Sequence, residues 1–379
     1  MKICLIGTVA SSTLNFRKTF IELLIQEGHE VYVFATDYSN KTSSEISALG
    51  AQPISYQLNR GGLNPFADIK STIQLKNKIK VIAPDIVFSY FSKPVIFGTL
   101  AAKLAKVPRI LGMLEGLGYA FTPEPVNANA SFKKKLVRSV QILLYKISFR
   151  YLDRIIFLNP DDPIDLLEKY KIKVKDVQIL GGIGVDLEKF KATSPSLETI
   201  RFLFIGRLLA EKGIFEFLKA ADIVKKNHPN VEFIVLGAID KDNPSSLSKD
   251  DLEYYKKSKI IIHPGYVDNA QEWIEKSSVF VLPSYREGVP CSTQEAMASG
   301  RAVISTNAPG CRETVIDNRN GFLINRFSSN ELVEKILFFI ENKEYILKMG
   351  HESRYIAEKK FDSTHQSMIL IKNIILNRK

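Results

Sequence analysis

Two carboxylates and two cations, in two short segments, carry most of the chemistry legible in this chain of 379 residues. Glu287 and Glu295 bracket Gly288, Val289, Pro290 and Cys291, just after the apolar run Val279–Pro283. Glycine lets a backbone approach a ligand closely, and proline suits the first turn of a helix. The amides of Cys291 to Thr293 would then line a positive helix start, suited to a phosphate or another anion. Carboxylates so placed accept hydrogen bonds from vicinal hydroxyls, on a sugar or a ribose. A solvated capping pair is the bland alternative. The second segment runs Phe202 to Gly213 as strand, glycine turn at Gly206, loop and helix. Arg207 and Lys212 lie five apart at a strand's carboxyl end, where two cations can neutralise a diphosphate without metal. In isolation they also read as ordinary surface charges.

These residues need rigid elements behind them. Apolar runs of four to six residues alternate with helical patterns, which predicts parallel strands with crossover helices on both faces. Strands are expected at Lys2–Gly7, Val31–Ala35, Pro53–Gln57, Asp85–Tyr90, Arg109–Leu114, Arg154–Leu158 and Val177–Leu180. The polar stretch 191–199, with Pro195, reads as a linker. The rhythm then restarts at Arg201–Gly206, Val231–Gly237, Lys259–His263, Val279–Pro283 and Ala302–Thr306. The expected fold class is α/β, with two doubly wound domains facing a central cleft. The expected bounds are 1–190, 191–360 and a terminal helix, 361–379, packing back on the first domain. Ligands in such sheets bind beyond the carboxyl ends of strands.

Taken together, the motifs resemble family 4 glycosyltransferases of the GT-B type, built from two Rossmann-like domains. The resemblance rests on Gly206-Arg207-Leu208 with Lys212-Gly213, and on the Glu287-x7-Glu295 element. Gly184 to Phe190, Pro283 to Gly288, Ala308-Pro309-Gly310 and Asn320-Gly321-Phe322-Leu323 support it. The first half matches more weakly, through Leu63 to Phe66, Phe97 to Lys103 and Leu114 to Gly118. These segments look like a bacterial subgroup that extends polyprenyl-diphosphate-linked sugars, N-acetylgalactosaminyltransferases among them. The resemblance implies a retaining transferase with a UDP-sugar donor, carrying an N-acetylhexosamine or hexose. Arg207 and Lys212 would hold the diphosphate, Glu287 the donor sugar and Glu295 the ribose. The amides of Gly288 to Cys291 would line the sugar pocket. The implied acceptor is a polyprenyl-diphosphate-linked saccharide of surface glycan assembly; a soluble or protein acceptor is the alternative.

Many relatives carry a histidine after the strand matching Arg109–Leu114. Here the loop begins with Glu115, which would contact the acceptor hydroxyl or the donor sugar, or else cap a helix. The loop from Gly7 to Asn15, with Arg17 opening the next helix, would face the donor diphosphate or be an ordinary polar loop. Asp240 and Asp242 form an Asp-x-Asp tripeptide, read as a solvated loop, and the five histidines lack motif partners. No metal and no cofactor is expected. The absence of Gly-x-Gly-x-x-Gly after the first strand of either half disfavours a nicotinamide oxidoreductase.

Composition bounds the rest. Hydrophobic residues make up 45% and charged residues 25%, which excludes disorder. Cys4, Cys291 and Cys311 form neither a disulfide framework nor a zinc pattern, so a reducing cytoplasm is expected. The start reads straight into a strand, without a secretory h-region, and no apolar run is long enough to span a bilayer. The formal net charge is +11. Residues 1–190 hold most of it, with 25 Lys and Arg against 17 Asp and Glu. Around 131–154, Lys133, Lys134, Lys135 and Arg138 accompany apolar residues at helical spacing. That pattern predicts attachment to the inner face of an anionic membrane, or a solvated crossover helix. A basic nucleic-acid-binding protein would leave Arg207, Lys212 and both glutamates unexplained.

Overall fold

The computed structural model describes residues 1–58, 65–124, 131–240, 243 and 245–376. They form two compact units, one of Met1–Ile183 with Ser363–Lys379 and one of Gly184–Asp362.

The first unit is built on seven strands: β1 (Lys2–Ile6), β2 (Glu30–Ala35), β3 (Gln52–Ser55), β4 (Ile86–Tyr90), β5 (Arg109–Leu114), β6 (Arg154–Phe157) and β7 (Val177–Ile179). All pairings are parallel, in the order β3-β2-β1-β4-β5-β6-β7. Every residue of β4 and β6 is buried. That follows from helices covering both faces, and it is why these strands read as unbroken apolar runs rather than alternations. The helices are α1 (Ala10–Gln26), α2 (Asn40–Ala48), α3 (Pro65–Ile82), α4 (Ser92–Leu104) and α5 (Phe132–Ser148). The helix Ser363–Met368 returns to this unit and packs on α1.

The second unit holds β8 (Arg201–Ile205), β9 (Glu232–Leu236), β10 (Ile262–Gly265), β11 (Val279–Leu282), β12 (Ala302–Thr306) and β13 (Gly321–Ile324). They pair in parallel in the order β10-β9-β8-β11-β12-β13. Both sheets therefore reverse their strand order beside the first strand of the unit, the arrangement that opens a binding crevice at strand carboxyl ends. Strand β13 is not among the strands expected from sequence. It is four residues long and begins at Gly321, where a Cβ would overlap the Val303 carbonyl oxygen of β12.

The units divide at Ile183 rather than at residue 190, because the segment 184–190 is bonded into the second unit. The Val185 amide donates to the Phe361 carbonyl at 2.7 Å, and Arg354 Nη1 donates to the Phe190 carbonyl at 2.9 Å. The stretch expected to be a linker is also fastened there. The fully buried Arg301 donates through Nη1 to the Thr193 carbonyl at 2.5 Å and through Nε to the Ile274 carbonyl at 2.9 Å.

Candidate active site

In the second unit the loops after β8, β9, β11 and β12 are locked together by three glycines in left-handed conformation. Gly213 has φ +75°, Gly237 φ +143° and Gly310 φ +79°. A Cβ on them would overlap the carbonyl oxygens of Pro283, Gly206 and Glu287, in that order. No side chain fits, and the backbone conformation favours glycine as well. The loops can therefore approach to backbone contact, which fixes Gly206, Arg207, Lys212 and Glu287 relative to one another. The Glu287 amide donates to the Pro309 carbonyl at 2.9 Å, and the Tyr285 amide to the Glu211 carbonyl at 2.9 Å.

Within this frame Lys212 and Glu287 meet. Lys212 Nζ lies 2.5 Å from Glu287 Oε1, and the Ser284 hydroxyl donates to the same oxygen at 2.8 Å. Arg207 is different. Its side chain is 62% exposed and stands 3.3 Å from Asp240 Oδ2. The two cations are thus one held side chain and one free to reorient on a ligand. Asp242 lies outside the described residues.

Pro290 caps the helix Cys291–Ala298, and Glu295 sits one turn inside it. Burial pushes the Glu295 carboxyl up to about 7, with Lys189 pulling it back. The Gln294 side chain fastens this turn. Its Nε2 donates to the Val289 carbonyl at 3.1 Å, and its Oε1 accepts from the Gly184 amide at 3.2 Å. Another contact the motif reading missed is the Tyr285 hydroxyl, which donates to Glu216 at 2.8 Å and 3.0 Å to its two oxygens. Glu216 lies in the first turn of the helix Ile214–Asn227. A glutamate so early in a helix reads as a dipole partner, so nothing in the sequence singled it out.

In the first unit the structure joins Arg17 and Glu115 in an ion pair, with both side chains nearly enclosed. The Arg17 guanidinium lies 4.6 Å above the Tyr90 ring, and the Tyr90 hydroxyl is 2.8 Å from Thr13 Oγ1. Burial raises the Glu115 carboxyl above its ordinary range, and Arg17 opposes that. The loop expected from Gly7 to Asn15 is shorter, because α1 begins at Ala10, whose amide is capped by Asp37 Oδ1 at 2.8 Å. Arg17 therefore sits in the helix interior rather than opening it, and Asn15 lies on its exposed face. Gly7 makes room for Tyr90, since a Cβ there would overlap the tyrosine ring and hydroxyl.

The basic stretch also divides. Lys134 is buried; its Nζ donates to the Thr122 carbonyl at 2.8 Å and to Glu124 at 2.6 Å, over the Tyr119 ring. It holds α5 in place and does not belong to the outer face. Lys133, Lys135, Lys146 and Arg150 are exposed, as are Phe132, Leu136, Leu143 and Ile147.

Comparison with known proteins identifies the two units. Residues 186–356 match the family described as Glycosyl transferases group 1, and residues 2–159 match Glycosyl transferase 4-like. The chain is a glycosyltransferase, with a 4-like domain in its first half and a group 1 domain in its second. It is 29% identical over 363 residues to an N,N'-diacetylbacillosaminyl-diphospho-undecaprenol alpha-1,3-N-acetylgalactosaminyltransferase of Campylobacter jejuni, covering 92% of each chain. It is 26% identical to a UDP-Gal:alpha-D-GlcNAc-diphosphoundecaprenol alpha-1,3-galactosyltransferase of Escherichia coli, covering 73% of this chain and 71% of that one. The fold matches sucrose-phosphate synthase from Thermosynechococcus elongatus, with a TM-score of 0.79 at 16% identity over 98% of both chains. It also matches Anabaena HepE in complex with UDP, with a TM-score of 0.73 at 15% identity over 99% and 100%. The architecture of this glycosyltransferase is thus GT-B. Among the described residues no helix is long and apolar enough to cross a membrane.

Proposed function

We propose that this glycosyltransferase moves a sugar from a UDP-sugar to a polyprenyl-diphosphate-linked saccharide, with retention at the anomeric carbon, in surface glycan assembly. The acceptor class rests on one observation: similarity across 92% of both chains to a Campylobacter jejuni enzyme whose name specifies such an acceptor. In this reading Arg207 and Lys212 hold the diphosphate, Glu287 takes donor-sugar hydroxyls and Glu295 the ribose. The amides of Gly288 to Cys291 line the sugar. Glu115, held by Arg17, contacts the acceptor hydroxyl or the donor sugar.

The mechanism follows from charge. The bond from C1 to the diphosphate oxygen breaks, and negative charge grows on the leaving group. Fixed cations beside a helix start stabilise that charge as it develops. The bond from the acceptor oxygen to C1 forms on the same face, and the acceptor's proton passes to a phosphate oxygen of the departing nucleotide. The cations supply the charge, so no metal or cofactor is assigned. We further assign the outer face of α5 to an anionic membrane surface, which places the enzyme peripherally at the inner face of the cell membrane.

The test is a product assay. The enzyme is incubated with a panel of UDP-sugars and with short-chain prenyl-diphosphate saccharides, and the new linkage is read by NMR. Net retention with UDP release is expected. Transfer confined to soluble glycosides or to protein would replace the acceptor class, and an inverted linkage would reject the mechanism.

A further inference from the structure

Tyr285 lies in the turn after β11, directly after Ser284 and two residues before Glu287, and it is held on four sides. Its amide donates to the Glu211 carbonyl at 2.9 Å. Its hydroxyl reaches both oxygens of Glu216, at 2.8 Å and 3.0 Å. Its ring packs on Phe327 with centroids 4.2 Å apart, and Arg326 Nη1 donates to its carbonyl at 3.5 Å. Phe327 follows β13 and holds φ +64°, a conformation rare for a bulky residue and kept only where the surroundings impose it. Segments following β8, β11 and β13 thus meet on this one side chain.

Stability alone does not account for a carboxyl facing that hydroxyl. Glu216 is 9% exposed, and burial raises its carboxyl above the ordinary range, with the Tyr285 hydroxyl opposing the rise. Replacing both partners of a buried polar pair by apolar groups of the same shape is often nearly neutral. A leucine facing a phenylalanine would pack, but it would not supply direction. A hydroxyl centred on two oxygens fixes the ring along its own axis. The helix Ile214–Asn227, which carries Glu216, is anchored separately by buried Ile214, Phe217, Leu218 and Val224. The turn is therefore referenced to the helix, not the helix to the turn. What the turn carries is the Glu287 carboxylate, whose Oε1 accepts from the Ser284 hydroxyl at 2.8 Å. A displacement of the Tyr285 ring passes to both neighbours.

We propose that Glu216 and Tyr285 are positioning residues for Glu287, setting the aim of its carboxylate on the donor sugar without touching substrate themselves. The assignment rests on the sugar-binding role proposed for Glu287 and adds what fixes it. Loss of the pair moves the carboxylate, while the anchored helix keeps the Lys212 loop and the nucleotide contacts in place.

The test is kinetics on the full chain, with the UDP-sugar and prenyl-diphosphate saccharide selected by the product assay, beside calorimetry with UDP. Tyr285→Phe should lower kcat/KM for the UDP-sugar by about tenfold, the scale of one hydrogen bond to a charged group. UDP affinity should stay within about twofold of wild type, since the hydroxyl acts on the sugar side alone. Glu216→Gln keeps an oxygen for the hydroxyl and should lose about threefold or less. Tyr285→Phe combined with Glu216→Leu removes the polar pair altogether. Its melting temperature should return toward wild type while kcat/KM stays low; a merely structural pair would recover both. In the Glu287→Gln background, Tyr285→Phe should cost about twofold or less, because a residue that acts through Glu287 has nothing left to aim. A full, additive loss in that background overturns the proposal. So does wild-type kcat/KM in the Tyr285→Phe/Glu216→Leu variant, or a matching loss of UDP affinity. Near-wild-type kinetics in Glu287→Gln itself removes the sugar role of Glu287, and the positioning role falls with it.

Discussion

Lys212 Nζ stands 2.5 Å from Glu287 Oε1, so the cation read as a diphosphate ligand and the carboxylate read as a sugar ligand neutralise each other. In the proposed reading, donor binding exchanges this pair for two new ones, the diphosphate on Lys212 and the sugar hydroxyls on Glu287. Lys212→Ala should therefore lower turnover by about a hundredfold, the scale of a lost transition-state charge contact of ~3 kcal/mol. Arg207→Ala should do the same with little loss of stability, because its exposed pair with Asp240 contributes about 0–1 kcal/mol. Residues in one ionic network are non-additive, so Lys212→Ala combined with Glu287→Gln should cost less than the two single effects together. Steady-state kinetics on the four proteins checks this, and near-wild-type turnover in both cation variants rejects the diphosphate role.

Gly237→Ala should destabilise the protein by about 3 kcal/mol or more, by strain at φ +143° and by overlap with the Gly206 carbonyl oxygen. Gly206 is the control. A Cβ there meets only the Phe204 ring at 3.6 Å, so Gly206→Ala should cost about 1 kcal/mol or less. Thermal unfolding separates the two. Equal melting temperatures would show that the loop contact is not what fixes this glycine.

Such contacts explain what was legible in the sequence and what was not. Central strands buried on both faces announce themselves as apolar runs; the edge strands β3, β7 and β10 hold no buried residue and followed only from the alternation with helices, β10 starting at Ile262 rather than Lys259, and the short β13 was visible only as the motif Asn320 to Leu323. Arg207, Lys212, Glu287 and Glu295 were legible because their spacing is set locally, within one loop and one helix turn. The Lys212–Glu287 pairing was not, because it crosses 75 residues and depends on Gly213 and Gly310 bringing two loops to backbone contact. The Arg17–Glu115 pair was hidden for the same reason, across 98 residues. Lys134 misled because a run of lysines gives no sign that one of them turns inward onto the Thr122 carbonyl.

Burial pushes Glu295 up to about 7, above the ordinary carboxylate range. The folded chain then holds a proton there that the unfolded chain has released, so this group lowers stability as pH rises from the ordinary carboxylate range toward 7. In the proposed reading ribose hydroxyls donate to the ionised form, and binding them draws the group back to the carboxylate. Affinity for a UDP-sugar should therefore rise by about tenfold per pH unit below 7 and level off above it. Glu295→Gln should bind weakly and without that slope. Glu287→Gln should spare free UDP and weaken the sugar nucleotide. Calorimetry between pH 5.5 and 8.5 tests both, and a slope that survives in Glu295→Gln assigns the titration to another group.

Activity should survive EDTA. The reading gives Arg207 and Lys212 the charge that a divalent cation otherwise supplies at a departing diphosphate. Turnover after chelation and desalting should stay within about twofold of the untreated enzyme, a change of less than ~0.5 kcal/mol in the barrier. Complete loss, restored by Mg²⁺ or Mn²⁺, would reject this account and bring Asp240 and Asp242 back as ligands.

Helix α5 makes the membrane assignment testable residue by residue. Phe132 is 81% exposed and Leu143 56%, on a helix that also exposes Lys133, Lys135 and Lys146, with the exposed Arg150 just beyond its end. Cations near an anionic leaflet contribute about 1 kcal/mol each, and the attraction decays over a Debye length. Reversing Lys133 and Lys135 to glutamate should therefore weaken binding to phosphatidylglycerol vesicles by at least tenfold at low salt, with the difference shrinking as salt is added. Replacing Leu136 and Leu143 by serine should weaken binding in a way that salt does not mimic, because apolar insertion is lost instead. Lys134→Glu should behave differently from its neighbours. It puts an acid against Glu124 and the Thr122 carbonyl, so the melting temperature should fall before any membrane effect is seen. A short water-soluble acceptor should be turned over normally by the Lys133/Lys135 variant, while a long-chain lipid acceptor in vesicles is not. If both acceptors fail together, α5 serves the fold rather than the membrane. If vesicle binding is unchanged in every variant, the basic face is solvated and the lipid acceptor is reached through another surface.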